Sequence, residues 1–300
     1  MRTQINMNSV TWPMRQNRLV WMTVALIALG CCGLQGTAQS SKPLGERTGW
    51  RLTFQDEFSQ AYGAAVDETK WAFDTGGNGW GNEELQYYTN TRRNAIMDGS
   101  GRLMIRARAE PKDTPLTCAF GQSCQYSSAR LVTKGIFAQT YGRFEARMRV
   151  PSGQGLWPAF WMLGTSIKET GWPACGEIDI METIGREPTK AHGTIHGPGY
   201  SGSNALGTPV SLPLEARFAD DFHVFALEWQ ENEIKWYLDD VLYATRTPKD
   251  LPEGTRWVFN QEMSLILNLA VGGLWPGRPD ERTVFPADLL VDYVRVYAKQ

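Results

Sequence analysis

Gly176-Glu177-Ile178-Asp179-Ile180-Met181-Glu182 sets three carboxylates within six residues, in a run otherwise as apolar as a core strand. Desolvating a carboxylate is costly unless it is paired or protonated, so acids seldom enter a buried strand without a reason. Along a strand, Glu177 and Asp179 point to one face while Ile178 and Ile180 point to the other. Glu182 stands five positions from Glu177 and would fall on the wrong face. One extra residue, taken up as a β-bulge, returns it, and Met181 is the expected extra residue. The stretch predicts a bulged strand whose three acids line one wall of a cleft.

Such a row suits glycoside hydrolysis with retention, which needs two carboxyls roughly 5–5.5 Å apart, one nucleophile and one proton donor. Cα atoms four strand steps apart lie about 13 Å apart. Two glutamates leaning inward on a concave sheet close most of that gap, with the shorter Asp179 between them. Three adjacent acids cannot all ionise cheaply, so one is expected to hold its proton, as a general acid must. A solvated acidic strand and a metal site are the alternatives.

Outward from this stretch, period-2 patterning recurs and long helical periodicity is nearly absent. Arg143 to Val150 alternates polar and apolar residues, a half-exposed strand. Leu156 to Leu163, Phe222 to Trp229 and Leu265 to Val271 read as more buried strands. Glu233 to Thr245 predicts a hairpin turning at Asp239-Asp240, and Leu290 to Tyr297 a closing strand. Many short strands separated by Gly, Pro and Asn turns predict an all-β fold, an antiparallel sandwich. Segments 76–82 and 196–213 are expected to be long loops bordering the cleft.

The first 38 residues differ from the rest. Arg15 and Arg18 precede the apolar run Leu19 to Leu29, and Gly36-Thr37-Ala38 offers a small-x-small cleavage site, together a signal peptide. The run is too short to span a membrane. Met14 is an alternative start. Lipoprotein anchoring through Cys31 is the weaker option, because Ala28-Leu29-Gly30 lacks a Leu three residues before the cysteine. A secreted or periplasmic protein follows, with residues 39–49 a short lead-in and 50–300 one catalytic domain. Removing the three leader arginines leaves 27 basic against 32 acidic residues, a net charge of −5. That balance argues against nucleic acid and anionic membrane as partners. Export permits a disulfide between Cys118 and Cys124. Cys175 reads as a buried small residue. Trp80, Trp157 and Trp275 sit beside Gly or Pro, Trp161 lies in the same presumed cleft segment as Trp157, and Trp157, Trp161 and Trp275 are candidates to stack on sugar rings.

The acid stretch resembles the active-site signature of glycoside hydrolase family sixteen, and the likeness covers roughly residues 50–298. Asp56-Glu57-Phe58, Gly79 to Tyr88, Tyr141 to Arg147, Gly155 to Trp161, His196 to Tyr200 and Val291 to Tyr297 all resemble its laminarinase branch. The resemblance implies a β-jelly-roll sandwich with a glycan cleft on its concave face. The implied activity is retaining endo-hydrolysis of β-1,3-glucan by a monomer, with no cofactor in catalysis. By the same likeness Glu177 is the nucleophile, Glu182 the acid/base and Asp179 the helper that tunes Glu177. Asn82, Glu84 and Arg143 fall at sugar-binding positions, and His196 falls beside the row. A structural calcium is implied on the convex side, near Glu57, Gly101 and Asp292. Two other readings compete: a non-catalytic glucan-binding protein on this fold, and a hydrolase of agar, carrageenan, xyloglucan or mixed-linkage glucan. Retention of both glutamates argues against the first. The residue inserted before Glu182 argues against the xyloglucan and mixed-linkage branches, whose signatures resemble an unbulged ExDxE.

Overall fold

Strand alternation organises the molecule. In this computed structural model residues 47–300 are described; the expected leader, Cys31 and most of the lead-in lie outside the described residues. The strands are β1 (Trp50–Asp56), β2 (Ala72–Phe73), β3 (Gln86–Tyr88), β4 (Ala95–Met97), β5 (Leu103–Ala109), β6 (Tyr126–Ser128), β7 (Arg130–Val132), β8 (Gly142–Arg149) and β9 (Leu156–Gly164). They continue as β10 (Glu177–Glu182), β11 (Lys190–His196), β12 (Leu206–Ser211), β13 (His223–Gln230), β14 (Glu233–Leu238), β15 (Val241–Arg246), β16 (Met263–Val271) and β17 (Ala287–Lys299).

Two sheets form a jelly-roll sandwich. A ten-stranded sheet runs β15-β14-β13-β8-β17-β5-β6-β3, with β1 and β4 pairing onto β17 and β5. A seven-stranded sheet runs β12-β11-β10-β9-β16-β7-β2. Each turns one set of alternating side chains inward. Phe160 and Met162, Ile178 and Ile180, and Leu265, Leu267 and Leu269 meet Phe144, Ala146, Met148, Leu227, Val294 and Val296 in one core. The residues between them face outward, so Glu177 and Asp179 stand on the outer face of the smaller sheet.

The expected bulge is present, one residue earlier on one side. Against β9, Asp179 pairs with Trp161 and Met181 with Phe160, leaving Ile180 without a partner. Against β11, Asp179 pairs with Thr194 and Glu182 with His192. Ile180 and Met181 thus share the bulge, and both side chains enter the core.

Segment 196–213 is not all loop. It contains β12, which pairs with β11 from Ala191↔Val210 to Ile195↔Leu206. Gly207 and Pro209 disguised it, but proline is tolerated on an edge strand, and β12 is an edge. At the β14–β15 turn, Asp239 and Asp240 have φ of 50° and 63°, the backbone sign a two-residue hairpin requires. Cys118 and Cys124 are bonded, their Cα atoms 5.0 Å apart.

The outer face of the larger sheet is built from ion pairs. Arg143, 1% exposed, donates to Glu145 at 2.8 Å, Glu228 at 3.1 Å and Asp240 at 2.7 Å. Arg47 donates to Asp240 at 2.6 Å. Arg295 holds Glu57 through two bonds of 2.7 and 2.8 Å, and Arg147 donates to Asp292 at 2.7 Å.

Candidate active site

Alternation on β9, β10, β11, β16 and β7 lays Trp157, Trp161, Glu177, Asp179, Glu182, His192, His196, Asn268 and Arg130 on one outer face. Two indoles and a histidine set the acids. Trp172 Nε1 donates to Glu177 Oε2 at 2.7 Å, and Trp157 Nε1 donates to Glu182 Oε1 at 3.0 Å. His196 accepts at Nδ1 from the Gly202 amide, 3.2 Å away, so its Nε2 carries the proton toward the acids. That Nε2 lies 3.1 Å from Asp179 Oδ2 and 3.7 Å from Glu177 Oε1. The approach to Asp179 is close but misdirected, and Oδ2 is left without an aligned hydrogen bond.

Burial raises all three acids. Glu177 is pushed up to about 8 by desolvation and then by the Asp179 charge, against His196, the Trp172 N–H and Arg130. Asp179 is lifted by burial, opposed by a hydrogen bond to Glu177. Glu182 is raised well above its ordinary range by burial, with like charge from both Asp179 and Glu177 adding to it. The ends of the row therefore differ. His196 and an indole N–H favour charge at both ends; Arg130 adds to this at Glu177 alone, whereas Glu182 is pressed by two carboxylates and Glu177 by one. One end is suited to attack and the other to proton donation.

One flank holds the candidate sugar-binding groups. Glu84, 8% exposed, accepts from Asn82 at 3.2 Å, Gln86 at 2.6 Å and Tyr88 at 3.2 Å. Asn268 donates to Tyr88 at 3.1 Å and accepts from Trp161 at 2.7 Å, tying this cluster to the floor. At the Glu182 end, Trp275 packs edge-on against Trp157 with ring centres 5.5 Å apart, and against His192 at 5.1 Å.

Asn82, Glu84, Trp157, Trp161, His196 and Trp275 thus gather around the row, but Arg143 does not. It lies on β8 of the other sheet, its guanidinium consumed by three carboxylates. The cation of the cleft is Arg130, which the sequence reading missed. Its guanidinium sits 4.8 Å from the ring centres of both Trp80 and Trp161 and pairs with Asp74 at 3.1 Å. Trp172 was also missed, although it stands between Gly171 and Pro173, the same signature that marked Trp80, Trp157 and Trp275. As for metals, Glu177, Asp179 and His196 form the one cluster of at least three His, Cys, Asp or Glu side chains with that capacity among the described residues. Glu57 and Asp292 do not form such a cluster, because arginines occupy their carboxylates.

A jelly-roll sandwich carrying this acid row in an aromatic-walled cleft is a glycoside hydrolase. Residues 82–294 match the Glycosyl hydrolases family 16, and the chain belongs to that family. It is 44% identical over 275 residues to a β-glucanase of Rhodothermus marinus, spanning 89% of this chain and 90% of that protein. The structure of an endo-β-1,3-glucanase from Pyrococcus furiosus superposes with a TM-score of 0.76 at 46% identity, covering 83% of this chain and 94% of the other. The laminarinase catalytic domain of Thermotoga maritima gives 0.77 at 44% identity, covering 84% and 99%.

Proposed function

We propose that the chain cleaves β-1,3-glucan of the laminarin type internally and with retention, using Glu177 as nucleophile and Glu182 as acid/base. The observation that carries the roles is the electrostatic asymmetry of the row, with Arg130 favouring charge at Glu177 alone and two carboxylates pressing on Glu182. Glu177 attacks the anomeric carbon as the bond to the leaving oxygen breaks, and Glu182 protonates that oxygen. Glu182, now a carboxylate, takes a proton from water, whose oxygen displaces Glu177 and restores the β-configuration. Asp179 and His196 govern charge on Glu177 between the steps. Trp157, Trp161 and Trp275 supply faces for the sugar rings, and Asn82 and Glu84 meet hydroxyls.

The relatives named above as acting on β-1,3-glucan support the substrate class. Reducing-sugar release across laminarin, lichenan, agarose and xyloglucan tests it. Laminarin should be cleaved far faster than lichenan, with agarose and xyloglucan untouched; equal or faster release from agarose would overturn the linkage choice.

The same proposal includes export through the leader 1–38, a catalytic domain over 50–300 and action as a monomer. Among the described residues no helix is long and apolar enough to cross a membrane. Calcium belongs here as well. Val291 pairs with Leu103, and Asp56 pairs with Val294, which brings the backbones at Gly101, Asp292 and Glu57 toward the middle of β17. Backbone carbonyls there would supply oxygen ligands to a hard cation, and Arg147 would have to release the Asp292 carboxylate to it. That cation would stiffen the convex side, away from the chemistry.

A further inference from the structure

A β-bulge leaves part of the ladder unpaired, and in the middle of a buried sheet an unpaired carbonyl costs about as much as a lost hydrogen bond. Asp179 is the last residue of β10 in regular register with both neighbours before the bulge at Ile180 and Met181. Its carbonyl accepts a bond of 2.8 Å from the indole Nε1 of Trp236. Trp236 is 1% exposed and belongs to β14, in the opposite sheet, so the indole crosses the core to reach it. Space for that crossing comes from Gly193 on β11. A Cβ there would lie 2.6 Å from the Trp236 nitrogen and 2.7 Å from the Tyr243 hydroxyl. No left-handed φ calls for glycine at position 193, so the missing side chain serves clearance and not backbone freedom.

We infer that Trp236 is a positioning residue for catalysis: its N–H fixes the peptide leaving Asp179 and so fixes the phase of the bulge that returns Glu182 to the face of Glu177. The indole touches neither glutamate. It acts through the strand, and its loss should fall on the step that needs Glu182 correctly placed. A proton donor displaced by about 1 Å can cost on the order of a hundredfold in rate. Attack by Glu177 on a substrate with a good leaving group needs no such proton.

The inference rests on the acid/base role proposed for Glu182, and the test separates the two. Glu182→Ala, Trp236→Phe and Trp229→Phe are compared on laminarin and on an activated aryl β-glucoside, with kcat, KM and melting temperature read for each. Trp229 is the control: it too loses a buried indole bond, to the Phe259 carbonyl at 3.1 Å, but that bond goes to the segment before β16 and not to β10 or its bulge. Trp236→Phe should lose about ten- to a hundredfold in kcat on laminarin with KM little changed, while glycosylation by the aryl substrate stays within about threefold. Trp229→Phe should melt lower and keep its laminarin kcat within about threefold of the parent. Equal losses for Trp236→Phe on both substrates, or a profile matching Trp229→Phe, would overturn the inference. If Glu182→Ala fails to spare the aryl substrate, it is the acid/base assignment that fails. Should Trp236→Phe not fold, Gly193→Ala displaces the indole instead and must show the same laminarin-selective loss. Hydrogen exchange in the parent protein adds a check without mutation, because a rapidly exchanging Trp236 indole N–H would also overturn the inference.

Discussion

The two outer faces of the sandwich are made from the same material and end in opposite states. On the larger sheet, Glu145, Glu228 and Asp240 converge on Arg143, with Arg47 adding a second guanidinium. Burial pulls the Asp240 carboxyl upward, but bonds and charge from Arg47 and Arg143 more than offset it, and it lies below its ordinary value. On the smaller sheet, Glu177, Asp179 and Glu182 converge without a guanidinium among them, and all three are raised. A buried carboxylate cluster becomes structural when cations are placed inside it. It becomes reactive when the cation is held outside it, as Arg130 is on β7, with β9 and β16 between it and β10. The strands differ in where arginine is placed: β8 carries three and β10 none.

The sharpest break of this comparison is to remove the acids one at a time. Glu177→Ala should abolish hydrolysis, and added azide should restore turnover with an α-product, a small anion replacing the nucleophile. Glu182→Ala should lose about 10²–10⁴-fold on laminarin, and azide should then release a β-product from aryl glycosides. Product anomers read by NMR decide the matter, and exchanged stereochemistry would reverse the two roles.

On the opposite face the expected damage is to stability. Arg143→Met strands Glu145, only 3% exposed, together with its neighbours, and should cost about 3–5 kcal/mol in urea unfolding. The folded fraction should turn over laminarin at the parent rate. A loss of kcat at full folding would join the two faces and spoil the contrast.

A smaller effect follows from the raised value of Glu177. Because its folded value of about 8 exceeds the ordinary 4.5, its contribution to stability is full below about 4.5 and is lost as pH climbs through 8. Glu177→Gln should therefore melt several degrees above the parent at pH 8, and the gap should close near pH 4. Calorimetry at the two pH values checks it, and a pH-independent gap would contradict the electrostatic origin. The smallest expected change comes from the bond between Cys118 and Cys124, which encloses a short loop. Replacing both cysteines by serine should cost about 2 kcal/mol and leave activity intact, as thermal unfolding and a laminarin assay will show.

Much of this arrangement was legible in the sequence wherever local spacing over-determines the answer. Three acids at 177, 179 and 182 cannot share a face on a regular strand, so the bulge followed from alternation alone. Its location did not, because Ile180 and Met181 are both apolar and only pairing with β9 tells them apart. The turn at Asp239-Asp240 was legible for the same local reason. Arg143 was misplaced because alternation reveals which residues share a face but not which sheet carries it. Arg130 left no local trace: its partners Asp74, Trp80 and Trp161 are distant in sequence and meet it only after folding. Strand β12 was hidden by Gly207 and Pro209, whose usual meaning is reversed at a sheet edge.

The indole sandwich around Arg130 has a thermodynamic meaning for recognition. Trp80 adopts a left-handed backbone, φ 50°, which a bulky residue reaches only under constraint. The loop carries that strain, while Trp161 and Asp74 immobilise the guanidinium from its other sides. Ordering a free side chain on association costs roughly 0.5–1.5 kcal/mol. Here those rotamers are frozen before any sugar arrives. On the function proposed above, the entropy of recognition on this wall is settled when the chain folds, and a polysaccharide would meet a surface that selects by shape and does not adapt to its guest.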